Sequence, residues 1–307
     1  MINIKKLYSS IRKVLDDDTR SFARTPRKFA AKDWKNALKE AKGAMKSKRI
    51  GILSAGVAYF STLAVFPAIA AGVAILSFAL SDSQLNAAFK GIESYLPSDI
   101  AHLISVQLEA ALKDPSSVIF VIVLGILIAL FSLSGAISNS ISAVNAIYET
   151  DETRKFVELR LTSLLFILIG GVVGITVVGL LVLSQSFLIS LGVPEIVAML
   201  IIIIRWVVIA ALVAVALAAF YRYAPDRKNP HWQWVTWGSC IATIIWLLGT
   251  TAFFIYAKYF AHFTESYSVF AGIIVLMTWL NLTAFAILMG AEINFRLENQ
   301  TRAKTTK

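Results

Sequence analysis

The sequence predicts an all-α polytopic membrane protein with six transmembrane helices, an amphipathic N-terminal region and both chain ends in the cytoplasm. Three observations predict it. First, 57% of the 307 residues are hydrophobic and only 16% are Asp, Glu, Lys or Arg, more apolar than a water-soluble core requires. Second, the apolar residues fall into six runs, each long enough for the roughly 20 residues that one bilayer crossing takes. Third, charge is sorted. Residues 1–50 carry 15 of the 29 Lys+Arg, whereas residues 81–117 carry only Lys90 and Lys113 against five acids. Cytoplasmic flanks retain Lys and Arg, so such sorting orients a membrane protein.

Residues 1–50 form a basic region at the cytoplasmic interface. Ile4, Leu7, Tyr8, Ile11, Val14 and Leu15 recur at helical spacing, ended by Asp16-Asp17-Asp18 and Pro26. A second stripe is Trp34, Leu38, Ala41 and Met45 among lysines. Such a helix either packs on its own protein or lies in the membrane interface with lysine stems reaching the head groups. The interfacial reading makes anionic lipid head groups the expected partner of this region. The net charge of +10 is otherwise unaccompanied by any nucleic-acid module, so nucleic acid is not an expected partner.

Residues 51–292 form the transmembrane domain. Span 1 covers about 51–80 and contains Pro67, which removes a backbone donor and is expected to kink the helix. Leu96-Pro97-Ser98 separates two short amphipathic helices, and Asp114-Pro115-Ser116 precedes span 2, at 117–133. A polar helical stretch, 134–148, follows, with Ile137, Ile141, Val144 and Ile147 on one face. Span 3 covers 161–189, and its Gly170, Gly171, Gly174 and Gly179 are suited to close approach of another helix. Leu191-Gly192-Val193-Pro194 makes a turn into span 4, at 196–220; spans 5 and 6 cover 235–260 and 269–291. Residues 293–307 form a polar cytoplasmic tail. With six crossings, the side holding both ends collects 25 of the 29 Lys+Arg. Five or seven crossings would separate the two basic ends and lose this agreement.

The candidate site residues lie inside the spans. Arg205 is a cation within span 4 and must face protein, a wet cavity or the interface. It either bonds helix-end carbonyls or contacts an anionic substrate. Tyr59, Ser61 and Thr62 lie before Pro67, where a kink would free backbone carbonyls that must be buried or line water. Asn281, in span 6, is suited to hydrogen bonding between helices or to substrate. Glu292, at the cytoplasmic end of span 6, is an interfacial carboxylate paired with a nearby base, or else a proton or ion site. His102, His231 and His262 are isolated, the single cysteine is Cys240, and no metal, nucleotide or hydrolase motif occurs. No cofactor and no enzymatic activity are therefore expected.

Several ordered segments resemble the YihY/BrkB family of bacterial membrane proteins, also called ribonuclease BN-like. They are Ala55 to Leu63 with Phe66-Pro67; Ser142-Ala143-Val144-Asn145-Ala146-Ile147-Tyr148; Tyr221-Arg222-Tyr223-Ala224-Pro225-Asp226; and Trp237-Gly238 with Ala242. Tyr256 through Tyr259, Ser266 to Gly272, and Leu288-Met289-Gly290-Ala291-Glu292-Ile293-Asn294 complete the set. The resemblance implies six transmembrane helices with cytoplasmic ends in a bacterial inner membrane. It associates the chain with envelope integrity, lipid export or cation/proton exchange rather than nuclease chemistry. One departure bears on exchange: many relatives place a glutamate after the tryptophan of span 5, but here Trp246 is followed by Leu247. The leading expectation is a transporter-like protein for a lipid or other amphiphile, with a cavity lined by Tyr59, Thr62, Arg205 and span 6. The alternatives are a cation/proton exchanger and a non-transporting envelope scaffold.

Overall fold

The computed structural model describes residues 31–79, 81–93, 101, 105–106, 118–182, 185–190, 192–227, 232–260 and 268–302. The helix expected around Ile4 to Leu15, the breaks at Pro97 and Pro115, and residues 261–267 lie outside the described residues. The elements are α1 (Ala31–Ser47), α2 (Ile50–Ala79), α3 (Asp82–Glu93), α4 (Val118–Tyr148), α5 (Phe156–Val182), α6 (Gln185–Ser190), α7 (Glu195–Tyr223), α8 (Trp232–Phe260) and α9 (Ser268–Arg302). Among the described residues there is no strand. Six helices, α2, α4, α5, α7, α8 and α9, are long and apolar enough to cross a membrane.

Local chemistry explains where these helices run. Pro67 lies inside α2, which runs on past it as helix with one backbone donor missing. The apolar span 2 and the polar stretch after it form one helix, α4. Its polar side chains bond back along the helix: Ser138 to the Ser134 carbonyl, Asn139 to Gly135, Ser140 to Ala136 and Ser142 to Ser138. These bonds satisfy the side chains without competing for the helical N–H groups. The Ile141, Val144 and Ile147 face is fully buried, as its spacing predicts. Helix α5 starts five residues before the expected 161, because Glu158 in its first turn accepts the Lys155 N–H at 3.2 Å, half of a capping box. At the other end, Gly192 takes φ +84 and its N–H bonds the Ile189 carbonyl at 2.9 Å, reversing the chain into α7.

The crossings alternate in direction, so α1, the C-terminal ends of α4, α7 and α9, and the N-terminal ends of α2, α5 and α8 gather at one end of the bundle. Helix α9 is its centre. It packs against α8, α2, α1 and α4, and its 35 residues span about 52 Å, well beyond the roughly 30 Å of hydrocarbon. Residues 293–302, expected as part of the polar tail, continue this helix. Helices α5 and α7 lie at the periphery and show broad apolar surfaces, with Ile175 75% exposed. In water that surface would be strongly unfavourable; against lipid chains it has an apolar solvent.

Two packing expectations come out differently. Helix α1 buries an alanine stripe, Ala37, Ala41 and Ala44, rather than Leu38 and Met45, which are exposed. It packs mainly on α9, and Trp34 meets Trp237 edge to face at 5.1 Å. Its lysines, Lys32, Lys35, Lys39, Lys42 and Lys46, face outward. The four glycines of α5 have nothing within 4 Å of where a Cβ would stand. The close helix approach occurs between α8 and α9 instead. A Cβ on Gly290 would lie 2.7 Å from the Gly238 carbonyl and 2.5 Å from the Tyr221 hydroxyl.

Candidate functional site

The converging helix ends build a dense ionic layer. Lys48 sits in the turn between α1 and α2, where Arg49 adopts φ +50. Glu149 ends α4 with φ +56. Both residues are non-glycine in the left-handed region, a strained conformation that the surrounding contacts must hold. Lys48 supplies such contacts. Its Nζ donates to the Ile147 carbonyl at 2.6 Å and pairs with Glu149 at 2.9 Å and Glu292 at 3.1 Å. It also lies 3.9 Å over the Phe295 ring.

Glu292 is 0% exposed. Arg296, one turn on, donates through Nε to its second oxygen at 2.6 Å. Two bases thus bracket one buried carboxylate, and Arg296 reaches on toward Glu40 of α1 at 3.9 Å. A buried charge is tolerable only when paired in this way.

A second set of contacts joins the segment after α4 to the segment after α7. Asn145 donates to Glu152 at 2.9 Å and accepts the Asp226 N–H at 3.0 Å. Arg154 forks onto both Glu152 oxygens at 2.6 and 2.7 Å and donates to the Ala224 carbonyl. Asp226 accepts from the Thr153 N–H and hydroxyl. The guanidinium hydrogen bond holds the Glu152 carboxyl below its ordinary value, and the same contact raises Arg154.

Deeper, Gly238 donates its N–H to Asn294 at 2.8 Å, and Tyr221 donates to the Ile287 carbonyl at 2.7 Å. Four of the sequence segments that carry the family resemblance, those around Asn145, Tyr221, Gly238 and Asn294, meet in this one layer. Lys48 was not singled out from the sequence, being one lysine among many. Arg227 was not either; only the structure places it over Tyr148 at 4.0 Å and against Glu298 at 2.8 Å.

Two cavities flank the layer. A polar one of about 420 Å³ lies outside it, lined by Tyr148, Asp151, Asp226, Arg227 and Glu298 among others. An apolar one of about 200 Å³ lies inside the bundle. Its wall comes from five spans: Val57 of α2, Ile137 and Val144 of α4, Phe166 and Gly170 of α5, Ala216 and Phe220 of α7, and Ala284 and Leu288 of α9. Ser140 is the one polar side chain of its lining. Gly170 is exposed on the bundle surface, so the cavity opens toward the lipid-facing side.

Of the sequence-derived site residues, Glu292 lies in the ionic layer, paired with Lys48 and Arg296; the others lie elsewhere, and the structure does not bring them together. Arg205 is 5% exposed, and its guanidinium reaches the Leu180 and Leu181 carbonyls near the end of α5 at 3.3 and 3.4 Å. These are contacts with helix-end carbonyls. Tyr59 is 51% exposed and stands edge to face on Phe60. Ser61 is half-buried. Thr62 is buried and bonds the Ala58 carbonyl at 2.8 Å. Asn281 accepts from Ser54 at 2.7 Å, a tie between α9 and α2. Neither cavity is lined by Arg205, Tyr59, Ser61, Thr62 or Asn281. Among the described residues no group of three or more His, Cys, Asp or Glu side chains is placed to hold a metal ion.

Comparison with known proteins agrees with the layout. The family model for Virulence factor BrkB matches residues 41–307, a stretch that contains Lys48 and the rest of the ionic layer except Glu40. A ribonuclease-like protein of Bacillus subtilis (strain 168), YfkH, is 30% identical over 259 residues, which is 81% of this chain and 90% of that protein. No solved structure matches.

Proposed function

We propose that this chain, which belongs to the Virulence factor BrkB family, takes the acyl part of a lipid or similar amphiphile between its helices and helps it move within or across the membrane. The observation that carries this reading is the apolar cavity walled by five spans and open on the side of Gly170. A void lined by aliphatic and aromatic side chains attracts hydrocarbon and offers water almost no partner. The ionic layer beside it closes one end of the bundle, so an occupant enters sideways from lipid rather than end-on from water.

The charge sorting supports a placement in a bacterial cytoplasmic membrane with the ionic layer and both chain ends inside. The outward lysines of α1 then lie beside anionic head groups. Cation/proton exchange needs a carboxyl inside the membrane that is able to load and release its ion. The Glu292 carboxylate is paired with two bases, although its Oε2 makes no hydrogen bond, and span 5 carries Leu247 rather than an acid, so amphiphile handling is the better-supported reading.

The test is transbilayer movement of a fluorescent phospholipid in proteoliposomes. The wild-type protein is expected to accelerate it, and Ala216→Phe, which fills the cavity, to slow it toward the protein-free rate. Acceleration by the filled variant equal to wild type would refute the role of the cavity, and no acceleration by either would refute movement.

A further inference from the structure

The geometry points to a second site, in the polar cavity outside the ionic layer, for a small zwitterion that joins an ammonium to an oxyanion. It does not rest on the apolar cavity; the two share no lining residue. At about 420 Å³ the polar cavity is in the size range of small-molecule sites.

Two independent features define the ligand. The first is charge: among the described residues the cavity is lined by three carboxylates, Asp151, Asp226 and Glu298, and one guanidinium, Arg227, and by no lysine. That excess of acid favours a cation. Among the described residues the carboxylates are not grouped to hold a metal ion, which leaves an organic ammonium as the cation that fits.

The second feature is a buried donor. The Arg227 side chain is 9% exposed, and its Nε has no hydrogen-bond partner among the described residues. Its NH1 is already on Glu298 at 2.8 Å, and its Cζ lies 4.0 Å from the Tyr148 ring centroid, so the group is held in place with Nε uncommitted. A buried donor without an acceptor is costly. An oxyanion beside Nε would satisfy it, while the ammonium of the same ligand met Asp151 and Asp226. Neither half alone answers both features.

The site lies at the ends of helices longer than the hydrocarbon thickness, at the depth of head groups or just beyond. A phospholipid head group and a free solute would present the same chemistry. Binding of phosphoethanolamine to the purified full-length protein in phosphatidylglycerol nanodiscs, measured by calorimetry, tests the proposal. Saturable binding is expected, stronger than that of ethanolamine or inorganic phosphate alone. Arg227→Lys, which keeps the charge but removes Nε, is expected to weaken it about tenfold, the loss of one charge-assisted hydrogen bond. Asp151→Asn, at an exposed position, is expected to weaken it severalfold, and Ala216→Phe to leave it unchanged. Thermal melting of each variant keeps a folding defect apart from a binding defect.

Competition by phosphatidylethanolamine placed in the nanodisc would assign the ligand to a lipid head group, and its absence would assign it to a soluble zwitterion. No saturable binding, equal binding of inorganic phosphate, or wild-type affinity in both Arg227→Lys and Asp151→Asn would overturn the site.

Discussion

Asn294 of α9 accepts the backbone N–H of Gly238 of α8 at 2.8 Å, and a Cβ on Gly238 would stand 2.3 Å from the Asn294 Cγ. The two positions, 56 residues apart in sequence, therefore specify each other: the asparagine needs a bare backbone opposite it, and the glycine N–H needs an acceptor. Here the backbones of two spans come close enough to be in contact.

Gly238→Ala is expected to lower stability in detergent by about 2 kcal/mol or more through overpacking. Asn294→Ala is expected to cost about 1–3 kcal/mol by stranding a buried N–H. The double variant should cost less than the two singles combined, because the clash disappears with the asparagine. Thermal unfolding of the three variants checks this; strict additivity would show that the residues do not meet.

Lys48 and Glu292 give a second expectation. Lys48→Met leaves Glu292 with Arg296 alone and frees Glu149, and Glu292→Gln leaves two cations facing a neutral amide. Each is expected to destabilise by about 3 kcal/mol, the usual scale for breaking a buried ion pair. Because Lys48 also ties α1 to α4 and α9, Lys48→Met should make the α1–α2 junction cleave faster in limited proteolysis. Unchanged cleavage would place α1 off the bundle.

The Glu152–Arg154 pair predicts an acid response. The folded-state pKa of Glu152 lies below its ordinary value, so its contribution is present above that ordinary value and is lost as pH falls through the folded pKa. Arg154 shifts upward from an already high value, so its contribution is intact below the unfolded arginine range and adds no pH dependence in acid. Melting temperature should therefore fall below about pH 4.5, and Glu152→Gln should lower it at neutral pH and flatten that part of the slope. A wild-type slope retained in Glu152→Gln would assign the acid response to other groups.

Arg205→Met is expected to loosen the far end of α5. The guanidinium reaches two of its carbonyls, and such ties within a membrane are worth roughly 1–2 kcal/mol. Hydrogen exchange should rise near 180–182, while lipid movement persists. Loss of lipid movement with normal exchange would instead make Arg205 a substrate contact.

The broad architecture was legible because the solvent is legible. Apolar run length and charge sorting report on a bilayer directly, so six crossings, and the Ile141, Val144 and Ile147 face, followed from spacing. Helix ends were less legible: serines after span 2 suggested a separate segment, yet their hydroxyls bond back along α4 and extend it. The site was the least legible part. Arg205 and Tyr59 stand out as polar residues in apolar runs, but one reaches nearby carbonyls through NH1 and the other is exposed. Of the residues that do converge, Glu292 stands out in the sequence as a carboxylate at a span end, Asn145 and Asp226 only as parts of family segments, and nothing local reveals that Asn145, Asp226 and Glu152 will meet. The apolar cavity was invisible for a further reason: it is an absence of side-chain volume among five helices, and no single residue signals it.

The most direct test of the central claim is photolabelling in nanodiscs with a phospholipid carrying a diazirine near the middle of its acyl chain. The account predicts labelled peptides containing Ile137, Phe166 and Leu288, and their loss in Ala216→Phe. Labelling confined to the outward residues Leu168, Val172 and Ile175, unchanged by that substitution, would mean that lipid touches only the outside of the bundle and would contradict it.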